Sequence, residues 1–354
     1  MAEKIIMKGN EALAEAAIGA GCKHFFGYPI TPQTEVAAYM AKRLPQIGGT
    51  FLQAESEVAA INMVLGASAA GVRAMTSSSS PGVSLKAEGI SYLAGCDLPC
   101  LIVNIQRGGP GLGGIQPAQS DYFLATKSTG HGDLHILVFA PATVQEMADL
   151  VADAFSLADK YRMPSMVLAD GMLGQMMEPV ILPEESGGGA PEKPWAVDGH
   201  KNSRPHNVVN SLYLEPEQLE AIVVGRFARY EEVKRKEQRA EEYLAGDAEI
   251  ILVAYGAASR IVKSAIGKAR AEGIRAGLIR PVTLYPYPDA VVEKYIGQAR
   301  VFLCVEMSMG QMLEDLRLAV DGRKPVSFYG RTGGVLPTPD EVYAKIKEIA
   351  GGLK

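Results

Sequence analysis

The chain has 354 residues, 47% hydrophobic and 21% charged, with a formal charge of −5. At ~150 residues per domain this supplies about two domains with a real core, which excludes disorder. The weak negative charge excludes a binding surface for nucleic acid or an anionic membrane. No apolar run reaches the ~20 residues of a membrane span. Met1 to Asn10 carries Glu3, Lys4 and Lys8 with no apolar signal core behind them, so a soluble, cytoplasmic protein is expected.

From residue 1 to 182, helix-like and strand-like segments alternate with short connections, the pattern of an α/β fold. Asn10 is placed to cap a helix running to Ala20, and Cys22–Phe26 reads as a strand. Val58, Ile61, Val64 and Leu65 put a helix over Ser56–Ala70, and another is expected over about 143–161. The short apolar runs Val72–Met75, Cys100–Ile105, Ile136–Phe139 and Ser165–Leu168 fit a parallel sheet covered on both faces.

Residues 183–247 break this alternation. Gly187-Gly188-Gly189-Ala190-Pro191, Pro194, Trp195 and Pro205 read as a linker or crossing arm. Glu215–Leu244 is helix-favouring, and its basic run Lys234–Arg239 is interleaved with acids, as on a solvated helix face. A second α/β block spans 248–354. Its expected strands are Ile250–Ala254, Ile274–Ile279, Val301–Val305 and Val326–Tyr329, with helices to Ala271, near 288–297, from Gln311 and from Pro339.

Four loops that follow strands carry the chemistry, where parallel sheets place their ligand crevices. Gly27-Tyr28-Pro29-Ile30-Thr31-Pro32 offers the hydroxyls of Tyr28 and Thr31 on a stiff loop, or is only a turn. Gln53-Ala54-Glu55-Ser56-Glu57 puts two carboxylates at a helix start, one expected to cap. Glu57 heads an apolar helix face that continues to Gly66, nine residues on. Thr76-Ser77-Ser78-Ser79-Ser80-Pro81-Gly82 gathers hydroxyls and amides at a helix N-terminus, suited to a polar or anionic ligand. Arg107, before the glycine-rich stretch 108–114, suits a carboxylate or a structural salt bridge. Thr31, Glu57 and Arg107 thus converge on one sheet edge, where an anionic ligand is expected. The pattern GxGxxG is absent, which disfavours a dinucleotide dehydrogenase. Cys22, Cys96, Cys100 and Cys304 are too scattered for a disulfide framework or an iron–sulfur cluster and read as buried small hydrophobes.

These four motifs, in this order and spacing, resemble the α subunit of 2-oxoacid:ferredoxin oxidoreductases over essentially the whole chain. The resemblance implies two parallel-sheet domains: a thiamine diphosphate pyrimidine-binding domain over 1–182 and a transketolase C-terminal-like domain over 248–354. Glu57 then bonds the aminopyrimidine ring nitrogen of thiamine diphosphate and stabilises the imino tautomer that draws the proton from the thiazolium carbon. Thr31 and Arg107, with Tyr28, hold the 2-oxoacid carboxylate, and Pro29, Ser80 and Gly82 line the cofactor. Ser79-Ser80-Pro81-Gly82 departs from the commoner Ser-Gly-Pro-Gly of the family at Ser80.

The Gly-Asp-Gly motif that holds magnesium and diphosphate is absent; Ala169-Asp170-Gly171-Met172 and His131-Gly132-Asp133 are the nearest strings. The resemblance therefore implies a β subunit with the diphosphate site, Mg2+ and a [4Fe-4S] cluster, a γ subunit, a ferredoxin-like δ subunit, and ferredoxin as acceptor. The implied reaction is oxidative decarboxylation, with coenzyme A taking the acyl group. The uncharged stretch from Gly111 to Pro117 looks more like the branched-chain, 2-oxoisovalerate branch than the 2-oxoglutarate branch, which needs a cation for the distal carboxylate. The alternatives are the same chemistry on 2-oxoglutarate or another 2-oxoacid, and a non-catalytic assembly subunit. His131, His135 and Glu306 receive no role.

Overall fold

Strands with no polar face need cover on both sides. The computed structural model, which describes residues 4–183 and 191–353, arranges them so. Ala74–Ser78, Leu101–Gln106 and Ser165–Asp170 are buried at every position. They lie within a seven-stranded sheet ordered Thr283–Tyr285, Leu137–Phe139, Ser165–Asp170, Leu101–Gln106, Ala74–Ser78, His24–Gly27, Thr50–Gln53. Every neighbouring pair is parallel except the first. Helices Gly9–Gly19 and Val144–Tyr161 pack on one another, as do Glu57–Ala69 and Ser80–Gly95. Thr143 starts the helix expected over 143–161, its Oγ1 accepting from the Glu146 amide at 3.1 Å.

The second sheet is ordered Val326–Gly330, Val301–Glu306, Ile250–Val253, Ala276–Pro281, Ala240–Tyr243, again parallel except at its last pair. Helices Gly256–Ala271, Asp289–Ile296, Met312–Val320 and Pro339–Gly352 complete this block. The two blocks are stitched by side chains. Gln119 Nε2 donates to the Tyr255 carbonyl at 2.8 Å while its Oε1 accepts from the Met307 amide at 3.0 Å. Arg280 reaches both Glu241 and Glu146 at 2.6 Å.

Several local expectations change. Asn10 does not cap; the helix begins at Gly9, and buried Asn10 donates to the Pro32 carbonyl and to Glu35 Oε2, each at 2.9 Å. The reason is long-range: a Cβ on Gly9 would meet the Leu173 carbonyl at 2.1 Å, so glycine alone permits that approach. The charged segment expected to be helical to Leu244 leaves the helix at Lys236 and ends in the edge strand Ala240–Tyr243. Thr283–Tyr285 returns to pair with the first sheet, and Ile5–Lys8 pairs with Met177–Val180.

The described part of the linker crosses the first block, with the Val197 amide donating to the Ala69 carbonyl at 2.8 Å and the Arg162 guanidinium 4.7 Å from the Trp195 ring. Its stretch Gly187-Gly188-Gly189-Ala190 lies outside the described residues. Among the described residues no helix is long and apolar enough to cross a membrane.

Candidate active site

Four adjacent parallel strands, Leu101–Gln106, Ala74–Ser78, His24–Gly27 and Thr50–Gln53, end on one edge of the first sheet. The loops bearing Arg107, Ser80, Thr31 and Glu57 leave from those ends. The sequence motifs are therefore neighbours because their strands are.

Glu57 heads the helix Glu57–Ala69 and is buried, whereas Glu55 is exposed. Neither carboxylate is the cap. Ser56 takes that place, its Oγ accepting from the Ala59 amide at 3.1 Å, because a short side chain reaches the third amide of the helix. Glu57 is thus free to point across to the facing helix, Ser80–Gly95. A Cβ on Gly82 would stand 2.8 Å from Glu57 Oε1 and 2.2 Å from Ser78 Oγ, so a side chain of any kind there displaces the carboxylate.

Ser80 has φ of 23°, a left-handed conformation that L residues adopt at a cost. Its side chain explains why serine is accommodated. Ser80 Oγ donates to Asp121 Oδ2 at 2.6 Å and accepts from the Arg107 amide at 3.1 Å, while its own amide donates to Asn104 Oδ1 at 3.1 Å. Asn104 Nδ2 donates to the same Asp121 oxygen at 2.9 Å. Burial pushes the Asp121 carboxyl above the usual range against these hydrogen bonds. Ser80, Pro81, Gly109, Asp121, Met309 and Gln311 line part of a cavity of about 580 Å³ between the two blocks.

Arg107 is 6% exposed. Its Nη1 donates to the Thr31 carbonyl at 2.9 Å and its Nη2 to the Leu112 carbonyl at 3.2 Å, which joins the first and fourth motifs. Its Nε is buried without a partner, a donor left over for an anion. No carboxylate pairs with Arg107 within salt-bridge distance among the described residues, so the salt-bridge alternative is not realised there. Thr31 and Pro29 are exposed and Tyr28 is 37% exposed, all on the rim. Gln33, buried, ties this rim to the next strand: it donates to the Tyr28 carbonyl and accepts from Ser77 Oγ at 2.5 Å.

Sequence reasoning missed Gln33, Asn104, Asp121 and Lys86. Asn104 and Lys86 left a signal, Asn104 as a polar residue in a wholly buried strand and Lys86 as a charge on a buried helix face. The unassigned groups resolve into structure. Glu306 accepts from the Met312 and Leu313 amides at 2.9 and 3.0 Å and so starts the helix Met312–Val320. Asp170, in the string nearest to Gly-Asp-Gly, caps Gly171–Gln175 through the Met172 and Leu173 amides, and burial pushes it up to about 6. His135 stacks on Tyr285 with ring centroids 4.3 Å apart. All four cysteines are free; three are buried, and Cys96 is half-buried. Among the described residues no three His, Cys, Asp or Glu side chains gather as a metal site requires.

Family models match the chain twice. Residues 15–242 match the thiamine diphosphate-binding domain of pyruvate flavodoxin/ferredoxin oxidoreductases, and residues 248–342 match core domain II of pyruvate:ferredoxin oxidoreductase. The chain belongs to the 2-oxoacid:ferredoxin oxidoreductase family. Within it, the chain is 50% identical over 347 residues to the ketoisovalerate oxidoreductase subunit VorB of Methanothermobacter thermautotrophicus, covering 98% of each. It is 37% identical to the 2-oxoglutarate synthase subunit KorA of Methanocaldococcus jannaschii, over 95% of this chain and 97% of that one. A solved structure of the 2-oxoglutarate:ferredoxin oxidoreductase from Magnetococcus marinus, with 2-oxoglutarate, coenzyme A and succinyl-CoA bound, matches with a TM-score of 0.86 at 30% identity. The match covers 98% of this chain and 65% of that one. The family agrees with what the four loop motifs implied, and the ketoisovalerate relative agrees with the branch read from the uncharged stretch Gly111 to Pro117.

Proposed function

We propose that this chain is the α subunit of a thiamine diphosphate-dependent 2-oxoisovalerate:ferredoxin oxidoreductase. The reaction converts the branched 2-oxoacid and coenzyme A to acyl-CoA and CO2, and two electrons pass singly to ferredoxin. The observation that carries this reading is the continuous path from buried Glu57, against Gly82, through Ser80 to Arg107 and Thr31. It sets a proton-handling carboxylate and an anion-binding guanidinium along the same edge of the sheet, at the ends of strands Thr50–Gln53 and Leu101–Gln106. Both fit the cofactor and substrate: Gly82 leaves the Glu57 carboxylate unblocked, and Arg107 Nε is an unmatched buried donor.

When bound, thiamine diphosphate supplies the nucleophilic carbon that attacks the 2-oxo group and holds the electrons left by decarboxylation. Glu57 holds the aminopyrimidine ring nitrogen and exchanges a proton with it. Arg107 and Thr31 fix the substrate carboxylate, with Tyr28 at the entrance, and Pro29, Ser80 and Gly82 shape the pyrimidine pocket. The diphosphate, Mg2+ and a [4Fe-4S] cluster belong to a β subunit, and γ and ferredoxin-like δ subunits complete the complex. Leu112 and Ile115, exposed in the uncharged loop after Arg107, suit a branched aliphatic side chain. The higher identity to a ketoisovalerate subunit than to a 2-oxoglutarate one supports the same branch.

The test is anaerobic purification of the tagged complex and coenzyme A-dependent viologen reduction with 2-oxoisovalerate, 2-oxoglutarate, pyruvate and indolepyruvate. Highest kcat/KM with 2-oxoisovalerate supports the assignment. Preference for 2-oxoglutarate refutes the branch and leaves the chemistry, whereas inactivity with every acid despite bound thiamine and iron refutes a catalytic role.

A further inference from the structure

Arg107 is the first residue past the strand Leu101–Gln106, and its amide is held by a side chain: it donates to Ser80 Oγ at 3.1 Å. A serine hydroxyl turns about its Cβ–Oγ bond until its own proton is committed, and only then do its lone pairs keep one direction. Asp121 supplies that commitment. Ser80 Oγ donates to Asp121 Oδ2 at 2.6 Å, a shorter bond than the alternative one to the Arg107 carbonyl at 3.3 Å.

The carboxylate is fixed in turn. The same Oδ2 accepts from Asn104 Nδ2 at 2.9 Å, and the Asp121 amide donates to Gln106 Oε1 at 3.1 Å, so Asp121 grips the strand end that carries Arg107 at two points. Its chain neighbours are bound to the second block. The Gln119 amide donates to the Met307 carbonyl at 2.9 Å, Gln311 Nε2 to the Ser120 carbonyl at 2.8 Å, the Phe123 amide to Gln311 Oε1 at 2.8 Å, and Tyr122 Oη to Asp315 Oδ2. Asp121 is 8% exposed, and both bonds of its side chain go to neutral groups. A carboxylate buried on those terms is costly, and an amide or an apolar side chain would cost less. What the carboxylate offers in return is two acceptor oxygens and no donor: it cannot turn an N–H toward Ser80 or Asn104.

We propose that Asp121 is a positioning residue for oxoacid binding: by holding the Ser80 hydroxyl it sets the Arg107 amide, and with it the place of the guanidinium that takes the substrate carboxylate. The second block, through residues 119–123, then helps to set the geometry of a site that lies on the first. The proposal rests on the reading of Arg107 given above, as the group that binds the oxoacid carboxylate. The competing explanation is that Asp121 only strengthens the junction between the two blocks.

Asp121→Ala frees the Ser80 hydroxyl, whereas Asp121→Asn keeps an acceptor oxygen in the same place. Both are compared in the assembled complex with the parent, with Ser80→Ala and with the double variant Ser80→Ala, Asp121→Ala. The readouts are kcat and KM by viologen reduction with 2-oxoisovalerate, pyruvate and 2-oxoglutarate, thiamine diphosphate affinity by fluorescence titration, and thermal melts. Asp121→Ala is expected to raise KM about tenfold, ~1.4 kcal/mol, for every oxoacid the parent turns over, because all present the same carboxylate, with kcat and cofactor affinity within about twofold of the parent. Asp121→Asn is expected to recover most of that rise. The double variant is expected to match the single ones because all break one relay; losses that multiply to about a hundredfold overturn the proposal. A KM in Asp121→Ala within about twofold of the parent, whatever the melting temperature, also overturns it, by leaving Asp121 to the junction alone. So does a rise in Asp121→Asn as large as in Asp121→Ala, which assigns the effect to charge, and so does lost assembly or lost cofactor affinity in both. A parent complex that turns over no oxoacid refutes the functional reading itself, and this proposal with it.

Discussion

Gly82→Ala separates the position of Glu57 from the integrity of the fold. The added Cβ would lie 2.2 Å from Ser78 Oγ and 2.8 Å from Glu57 Oε1. Ser78 Oγ has no hydrogen-bond partner to lose and turns to another rotamer cheaply. The Glu57 carboxylate must retreat about 0.6 Å, from 2.8 to the 3.4 Å of ordinary contact. A misplacement near 1 Å costs about 100-fold in rate, so for ~0.6 Å a loss of roughly 15-fold in kcat is expected. Stability is expected to fall by at most about 2 kcal/mol, since ~1–3 kcal/mol of overpacking is partly offset by up to ~1 kcal/mol of helix propensity gained from glycine to alanine. Gly66→Ala is the steric control: no atom lies within 4 Å of its added Cβ, and the stability of the chain is expected to hold or rise. Viologen reduction by each complex, with thermal melts, provides the measurement. Turnover of Gly82→Ala within about threefold of the parent, well short of the roughly 15-fold expected, refutes the argument that Gly82 sets the place of Glu57.

Other outcomes follow from the same geometry. Arg107→Lys keeps the charge but not the fork that spans Thr31, Leu112 and an incoming carboxylate; KM for the oxoacid is expected to rise about tenfold or more with cofactor content unchanged. Ser80→Ala retains the left-handed strain and strips hydrogen bonds from Asp121 and the Arg107 amide, whereas Ser80→Gly strips the same bonds but relieves ~1 kcal/mol of strain. Urea melts should therefore rank Ser80→Gly above Ser80→Ala, and the reverse order contradicts the account of Ser80. His135 is pushed down to about 4 by burial, with Lys234 and Lys127 adding to it. The unfolded chain binds that proton near 6.5 and the folded chain only near 4, so stability falls as pH drops through this window. His135→Phe, which keeps the stack on Tyr285, should flatten that part of the stability profile; an unchanged slope assigns it to other groups.

Where local chemistry decided the fold, the sequence was informative. The apolar runs named the central strands, the helix over about 143–161 formed as expected, and the four loop motifs held the candidate site. Long-range pairing left weaker marks. Ala240–Tyr243 reads as helix because its Glu241 and Glu242 are an edge strand's outward charges, satisfied by Arg280, Lys263, Lys294 and Tyr295 from distant elements. Thr283–Tyr285 is too short to announce a partner more than 140 residues earlier. In the site, Glu57 and Arg107 were legible as charges in apolar surroundings. Asp121 and Gln33 were not, since each matters through a carboxylate or amide aimed at a neighbour that only the folded chain supplies.

The central claim, that Glu57 of this chain handles the proton of the thiamine reaction, is tested most directly by Glu57→Gln in the anaerobically purified complex. With subunits and bound thiamine diphosphate intact, coenzyme A-dependent oxidation of 2-oxoisovalerate is expected to fall at least about 100-fold, the scale of a lost general acid–base group. Turnover that stays within about threefold of the parent, far short of that loss, contradicts the account.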